Sequence, residues 1–269
     1  MPHTPVSIVI PAYDEGERLP VFLRAVVGRA LATARPRLEL IVVDDGSATE
    51  HARAHGAAVA EAAETLRQAG SPHRVRLVTQ SRNQGKGAAI RRGWAEADPE
   101  AGWLGFVDAD GSVCAVELIR LVDMLRPDAR FDALCGARVR TAGRRVRRSL
   151  FRHLQGRMFA LLVEGVFGLG LSDTQCGVKF ARAERLRPLL ATLREGGWLL
   201  DVEMLAALHR AGASLAEEAI DWADTGSSHV RFGVDAARMA WGLRALKRHL
   251  ASAEPRLADE DGGRWRDVA

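Results

Sequence analysis

Tyrosine is almost absent from this chain, with Tyr13 standing alone among 269 residues. Cysteine is scarce too: Cys114, Cys135 and Cys176 are widely spaced and odd in number. No CxxC pair occurs, which excludes a zinc ribbon or a disulfide framework and fits a reduced cytosolic compartment. The opening Met1-Pro2-His3-Thr4-Pro5 lacks the charged and apolar sections of a signal peptide, so none is expected. Long apolar runs are missing. The most apolar stretch, residues 158–171, is interrupted by Glu164 and falls short of the roughly 20 residues that a spanning helix needs, so no span is expected. Familiar glycine fingerprints are missing as well. No GxGxxG follows the first apolar run, which argues against a Rossmann dehydrogenase, and Gly85-Lys86-Gly87 lacks the P-loop spacing. The glycines of residues 165–170 (GVFGLG) sit in a hydrophobic, misplaced context for a phosphate loop. There is no HExxH and no nucleophile elbow. A net charge of +4 is too small to point to nucleic acid, and no nucleic-acid partner is expected.

The distribution of charge says more than its sum. Between Ala137 and Met158 lie eight arginines (138, 140, 144, 145, 147, 148, 152 and 157) and no acidic residue. Such a run is either a solvated basic face or a surface for phosphate groups or anionic lipid, because guanidinium forks match phosphate oxygens. The hydrophobic residues that follow at once favour the second reading.

From residue 6 to about 138, strand and helix patterns alternate. Short β-branched or apolar runs at 6–10, 38–43, 75–78, 103–107 and 132–136 are expected as strands. Helical spacing fills 17–34, 50–69, 86–97 and 115–126. Apolar strands alternating with helices predict an α/β fold, a mostly parallel central sheet with helices on both faces. Right-handed crossovers then bring the strand ends to one rim, where open α/β sheets bind ligands. The polar signals fall at that rim: Pro11-Ala12-Tyr13-Asp14-Glu15, Asp44-Asp45-Gly46-Ser47, Asn83-Gln84-Gly85-Lys86-Gly87 and Asp108-Ala109-Asp110. Each alone reads equally as a turn or helix cap. Alternation in an extended chain would put Asp108 and Asp110 on one face. Two such carboxylates suit Mg²⁺ or Mn²⁺ with positions left open for substrate phosphates.

Together these residues resemble the family 2 glycosyltransferases of GT-A fold, over 6 to about 231. Asp173-Thr174-Gln175-Cys176-Gly177-Val178-Lys179-Phe180 looks like the DTQCGFK segment of dolichyl-phosphate glucosyltransferases. Gly197-Trp198-Leu199-Leu200-Asp201-Val202-Glu203 looks like a segment these share with polyprenyl-phosphate mannosyltransferases. Residues 222–231 resemble their W-x-E-x-x-G-S-K-V-R stretch, with Ser227 in place of Gly and His229 in place of Lys. The resemblance implies that Pro11, Tyr13, Glu15 and the Asp44-Asp45 pair serve the nucleotide base and ribose, with Asn83 and Lys86 beside them. It implies that Asp108 and Asp110 hold the metal against the donor diphosphate, and that the loop of His229 lies at the donor phosphates. Arg138 and Arg148 match arginines that hold an acceptor phosphate; Asp201 either orients the acceptor or an arginine, or caps the helix after it.

The expected activity is metal-dependent, inverting transfer of a hexose, from UDP-glucose by the DTQCG resemblance, to a polyprenyl or dolichyl phosphate. GDP-mannose as donor, a soluble transferase for a small hydroxyl acceptor and a non-catalytic nucleotide-sugar-binding protein are the alternatives. Residues 1–235 are expected to form the GT-A domain and 236–269 an amphipathic helix with a polar tail. The expected location is cytoplasmic and peripheral, at an anionic membrane surface. Residues 151–171 would reach that surface as an interfacial helix. Met239, Leu243, Leu246 and Leu250 form one stripe, for membrane contact or for packing on the domain.

Overall fold

The computed structural model describes residues 4–33, 36–139, 141, 143–147, 150–223 and 234–252. Its first half follows the expected alternation: β1 (Val6–Ala12), α1 (Arg18–Thr33), β2 (Leu38–Asp44), α2 (Thr49–Gln68), β3 (Arg74–Thr79), α3 (Lys86–Ala95), β4 (Trp103–Val107), α4 (Ala115–Met124) and β5 (Ala133–Ala137). Then come β6 (Val146–Arg147), α5 (Leu150–Phe167), β7 (Val178–Arg182), α6 (Ala183–Leu186), α7 (Leu200–Arg210), β8 (Leu215–Ala219), β9 (Trp222–Ala223) and α8 (Val234–Ser252). Seven strands form one sheet in the order β3-β2-β1-β4-β7-β5-β8; β6 and β9 pair separately. The sheet is mostly parallel, but β7 lies antiparallel between β4 and β5. Residues 178–182 were not expected as a strand, and the second half of the chain thus enters the middle of the sheet. β1 also runs past Pro11, its expected end, in register with Val43. The missing proline N–H costs nothing there, because β4 pairs with β1 only as far as Val9.

Side-chain alternation divides the core into two layers. Ile8, Ile10, Val42, Trp103 and Val107 pack under α1, α2 and α4, with Leu19, Leu23, Val59 and Leu118. Val9, Ile41, Val43, Leu104 and Phe106 pack on the other face with Trp94 of α3 and Leu200, Leu205 and Leu208 of α7. Leu243, Leu246 and Leu250 of α8 join this second layer, so that part of the stripe packs on the domain. Met158, Leu161 and Leu162 of α5 instead face solvent. Among the described residues no helix is long and apolar enough to cross a membrane.

Candidate active site

The loops after β1, β2, β3 and β4 meet at one rim and lock onto each other. Asp14 adopts a left-handed backbone conformation, φ 55°. Its carboxylate accepts the Ala48 N–H at 2.9 Å, and its own N–H donates to Ser47 Oγ at 3.0 Å. Ser47 in turn donates its N–H and hydroxyl to Asp44 Oδ1, at 3.1 and 2.5 Å. Asp45 turns toward the loop after β3, accepting Gln80 Nε2, Gln84 N–H and Gly85 N–H, each at 2.8 Å. Both aspartates are buried. Burial pushes the Asp45 carboxyl above its ordinary range, and the Gln84 and Gly85 N–H groups partly offset this. The Asp44-Asp45 pair therefore acts first as the clamp that joins three loops. Tyr13 and Asn83 project from the clamped loops into solvent, and Pro11 is half-buried at the end of β1.

The acidic pair is gathered differently from the expected alternation. β4 ends at Val107, so Asp108 lies just beyond the strand and Asp110 in the turn that follows. The turn, not the pleat, sets their direction: Asp110 accepts the Ser112 N–H at 2.9 Å and its hydroxyl at 3.0 Å. Both charges reach Glu15. Burial raises the Glu15 pKa, the ion pair with Arg18 opposes it, and Asp110 and Asp108 raise it further. Lys86, the first residue of α3, faces the same cluster, its Nζ 2.6 Å from Asp108 Oδ1 in an ion pair. Burial disfavours the charged lysine, but Asp108, Asp201 and Asp110 outweigh it and its pKa rises. Gly177 passes so close to Asp108 that a Cβ there would lie 2.3 Å from Oδ2. Glycine in the DTQCG segment is thus required by the acidic turn of another strand.

Arg138 and Asp201, expected on the acceptor side, are held by buried ion pairs. Arg138, at the end of β5, donates Nε and one terminal nitrogen to Asp173 at 2.7 and 2.8 Å, and its backbone N–H at 3.0 Å. This pairing holds the Asp173 carboxyl well below, and the Arg138 guanidinium above, its ordinary range despite burial. Glu217 of β8 fixes the loop that carries Asp173, accepting the N–H groups of Ser172 and Asp173 at 2.8 and 2.7 Å. Asp201 is inside the first turn of α7, whose N-cap is Leu199, so it does not cap the helix. Nor is its partner an arginine: fully buried Lys179 donates to Asp201 Oδ2 at 3.2 Å and to the Cys176 carbonyl at 2.6 Å. The sequence reading missed Lys179, Asp173 as the partner of Arg138, and Ser112. The one available signal was a lysine set between apolar neighbours in 178–181. Arg148 and His229 lie outside the described residues.

The cysteines are free, and burial pushes the thiols of Cys135 and Cys176 up to about 12, which leaves them inert. Among the described residues no three His, Cys, Asp or Glu side chains gather as a complete metal cage. Two hard carboxylates at the rim nevertheless suit a cation that completes its shell with substrate oxygens.

The mixed α/β sheet thus brings a clamped rim and the acidic turn after β4 together at one edge. The chain matches the family model described as Glycosyl transferase family 2 over residues 7–187, and it belongs to that family: it is a glycosyltransferase of GT-A fold. It is 31% identical over 241 residues to the dolichyl-phosphate beta-glucosyltransferase of Homo sapiens, covering 86% of this chain and 71% of the relative. The dolichyl-phosphate beta-glucosyltransferase of Dictyostelium discoideum is 27% identical over 231 residues, covering 83% and 68%. Among solved structures, glucosyl-3-phosphoglycerate synthase of Mycobacterium tuberculosis, in complex with Mn²⁺, UDP and phosphoglyceric acid, superposes with a TM-score of 0.61 at 17% identity, covering 93% of this chain and 80% of that one. That likeness carries the fold.

Proposed function

We propose that the protein transfers a hexose from a nucleotide sugar, UDP-glucose in the first instance, to a polyprenyl or dolichyl phosphate, with inversion at the anomeric carbon. The observation that carries this is that Asp108 and Asp110 reach both Glu15 and Lys86 at a rim whose other wall is the Arg138–Asp173 pair. The names of the relatives support the acceptor class. Asp108 and Asp110 would hold Mg²⁺ or Mn²⁺, which supplies neutralisation of the charge that develops on the departing nucleoside diphosphate. Pro11, Tyr13, Glu15 and Asn83 border the base and ribose, on loops that Asp44 and Asp45 hold in place. Lys86 turns its ammonium from Asp108 to the diphosphate oxygens. Arg138, with Nε and one terminal nitrogen fixed on Asp173, offers its remaining N–H groups to the acceptor phosphate, and Arg148 and the His229 loop complete the anion-binding set. Asp201, fixed by Lys179, orients the acceptor. A phosphate monoester is largely anionic near neutral pH, its second pKa being about 6, and needs little proton abstraction. One of its oxygens attacks the anomeric carbon; the new C–O bond forms as the bond to the diphosphate breaks, and the electron pair leaves on UDP.

The solvent-facing Met158, Leu161 and Leu162 of α5, with exposed Arg157 beside them, favour peripheral contact with an anionic bilayer. The test is a thermal-shift screen of UDP, GDP, UDP-glucose and GDP-mannose with and without Mn²⁺, followed by transfer to a short polyprenyl phosphate. Metal-dependent stabilisation by UDP and UDP-glucose is expected. Stabilisation by the guanine pair alone would replace the donor, and transfer only to a soluble hydroxyl acceptor would replace the acceptor.

A further inference from the structure

Residues 193–199 carry no regular structure, yet they are fastened on three sides. Fully buried Glu203 of α7 accepts the Arg194 N–H at 3.0 and 3.1 Å and the Glu195 N–H at 2.8 Å. The Gly196 carbonyl accepts the Ala88 N–H of α3 at 3.1 Å. A Cβ at Gly85 would lie 2.3 Å from that carbonyl oxygen, so the loop and the start of α3 meet backbone to backbone. From behind, α8 sets Gly242 against Leu199 and bonds His249 Nε2 to the Thr192 carbonyl at 2.9 Å.

So fixed a loop nevertheless leaves the indole of Trp198 55% exposed. The ring is not aimless. Lys86 Nζ stands 5.3 Å from its centroid, a cation–π contact, while the same ammonium is 2.6 Å from Asp108 Oδ1. Lys86 also feels the charge of Asp201, three residues beyond Trp198. The indole therefore borders the space between the carboxylate assigned to the donor diphosphate and the carboxylate assigned to the acceptor. The group that must lie in that space is the hexosyl group. A pyranose presents an apolar C–H face, and a flat, rigidly mounted indole matches it where a flexible side chain would have to be ordered first.

We propose that Trp198 is the stacking platform for the hexosyl group of the donor and sets how the anomeric carbon faces the acceptor. The proposal rests on the nucleotide-sugar reading above and adds a sugar contact that the diphosphate and base residues do not provide. Calorimetric titration of the full chain with UDP-glucose and with UDP, each with Mn²⁺, tests it in wild type, Trp198→Ala and Trp198→Phe. Trp198→Ala is expected to weaken UDP-glucose about tenfold while leaving UDP unchanged, and Trp198→Phe to restore most of the loss. Equal weakening of UDP and UDP-glucose overturns the proposal, since the indole would then serve the nucleotide or the loop's shape. Unchanged donor affinities with a raised acceptor KM also overturn it, giving the indole to the acceptor chain. A wild type that binds neither UDP-glucose nor GDP-mannose overturns the nucleotide-sugar reading itself; if it binds only GDP-mannose, GDP-mannose and GDP become the test pair, judged by the same outcomes.

Discussion

The two walls of the site handle charge in opposite ways. On the rim of β1–β4, Glu15, Asp108 and Asp110 lie within each other's fields, and burial with this crowding lifts Glu15 above its ordinary range. Opposite it, among the described residues, the charges are paired: Arg138 with Asp173 and Lys179 with Asp201. A wall with a surplus of one sign gains when a ligand of the other sign arrives; a matched wall is already satisfied and holds its shape without one. On the proposed function, the acidic rim would respond to a cation, and the paired wall would keep its shape while substrates change.

Breaking the paired wall should have the largest effect. Lys179→Met keeps the volume but leaves the buried Asp201 carboxylate without its cation, and should lower stability by about 3–5 kcal/mol in urea unfolding. Pairing it with Asp201→Asn should recover part of that loss; an unshifted midpoint for Lys179→Met alone would show that the pair contributes no net stability. Breaking the acidic rim should act on turnover instead. Asp110→Asn removes one of the mutually repelling charges, so its thermal midpoint should hold or rise slightly. Transfer to a short polyprenyl phosphate should fall about 10²–10³-fold, the scale of a lost electrostatic stabiliser. Unchanged turnover would refute the metal role.

The same contrast explains what could be read from sequence. The rim is local: Asp44-Asp45-Gly46-Ser47 closes its own turn, and each strand of β1–β4 shows as an apolar run, so elements and motifs there were legible. The paired wall is assembled from distant segments. Arg138 meets Asp173 across 35 residues and Lys179 meets Asp201 across 22, which no periodicity announces. β7 was invisible for a related reason: it is antiparallel, inserted out of order, and carries a lysine whose burial depends on a partner on another element. The acidic pair was found, though the physical reason differs, since a turn closed by Ser112 rather than strand alternation gathers it.

Where the two walls touch, a smaller perturbation is expected. Gly177→Ala would set a Cβ 2.3 Å from Asp108 Oδ2, and the carboxylate must move. We expect about 1–3 kcal/mol lost in stability, the usual cost of overpacking, together with weaker Mn²⁺-dependent binding of UDP-glucose. A variant with wild-type donor affinity would mean that the acidic turn tolerates displacement.

The smallest effect tests whether the clamped rim is sensitive to pH. His55 of α2 is fully buried, its Nδ1 3.7 Å from Asp44 Oδ1, and neither ring nitrogen has a hydrogen-bond partner. Burial holds its pKa below the ordinary 6.5; the charge of Asp44 opposes this, His51 adds to it and Asp14 opposes it. The unfolded chain therefore takes up a proton below 6.5 that the folded chain refuses, so stability is full above that value and declines as pH falls through it. The thermal midpoint should therefore fall as the pH is lowered from about 7.5 to about 5.5, with this residue contributing to the fall. His73, also depressed by burial, adds its own share. His55→Phe should flatten the fall of the thermal midpoint over that interval without abolishing it. An undiminished slope in that variant would move the pH sensitivity away from the Asp44 clamp and leave the rim indifferent to protonation.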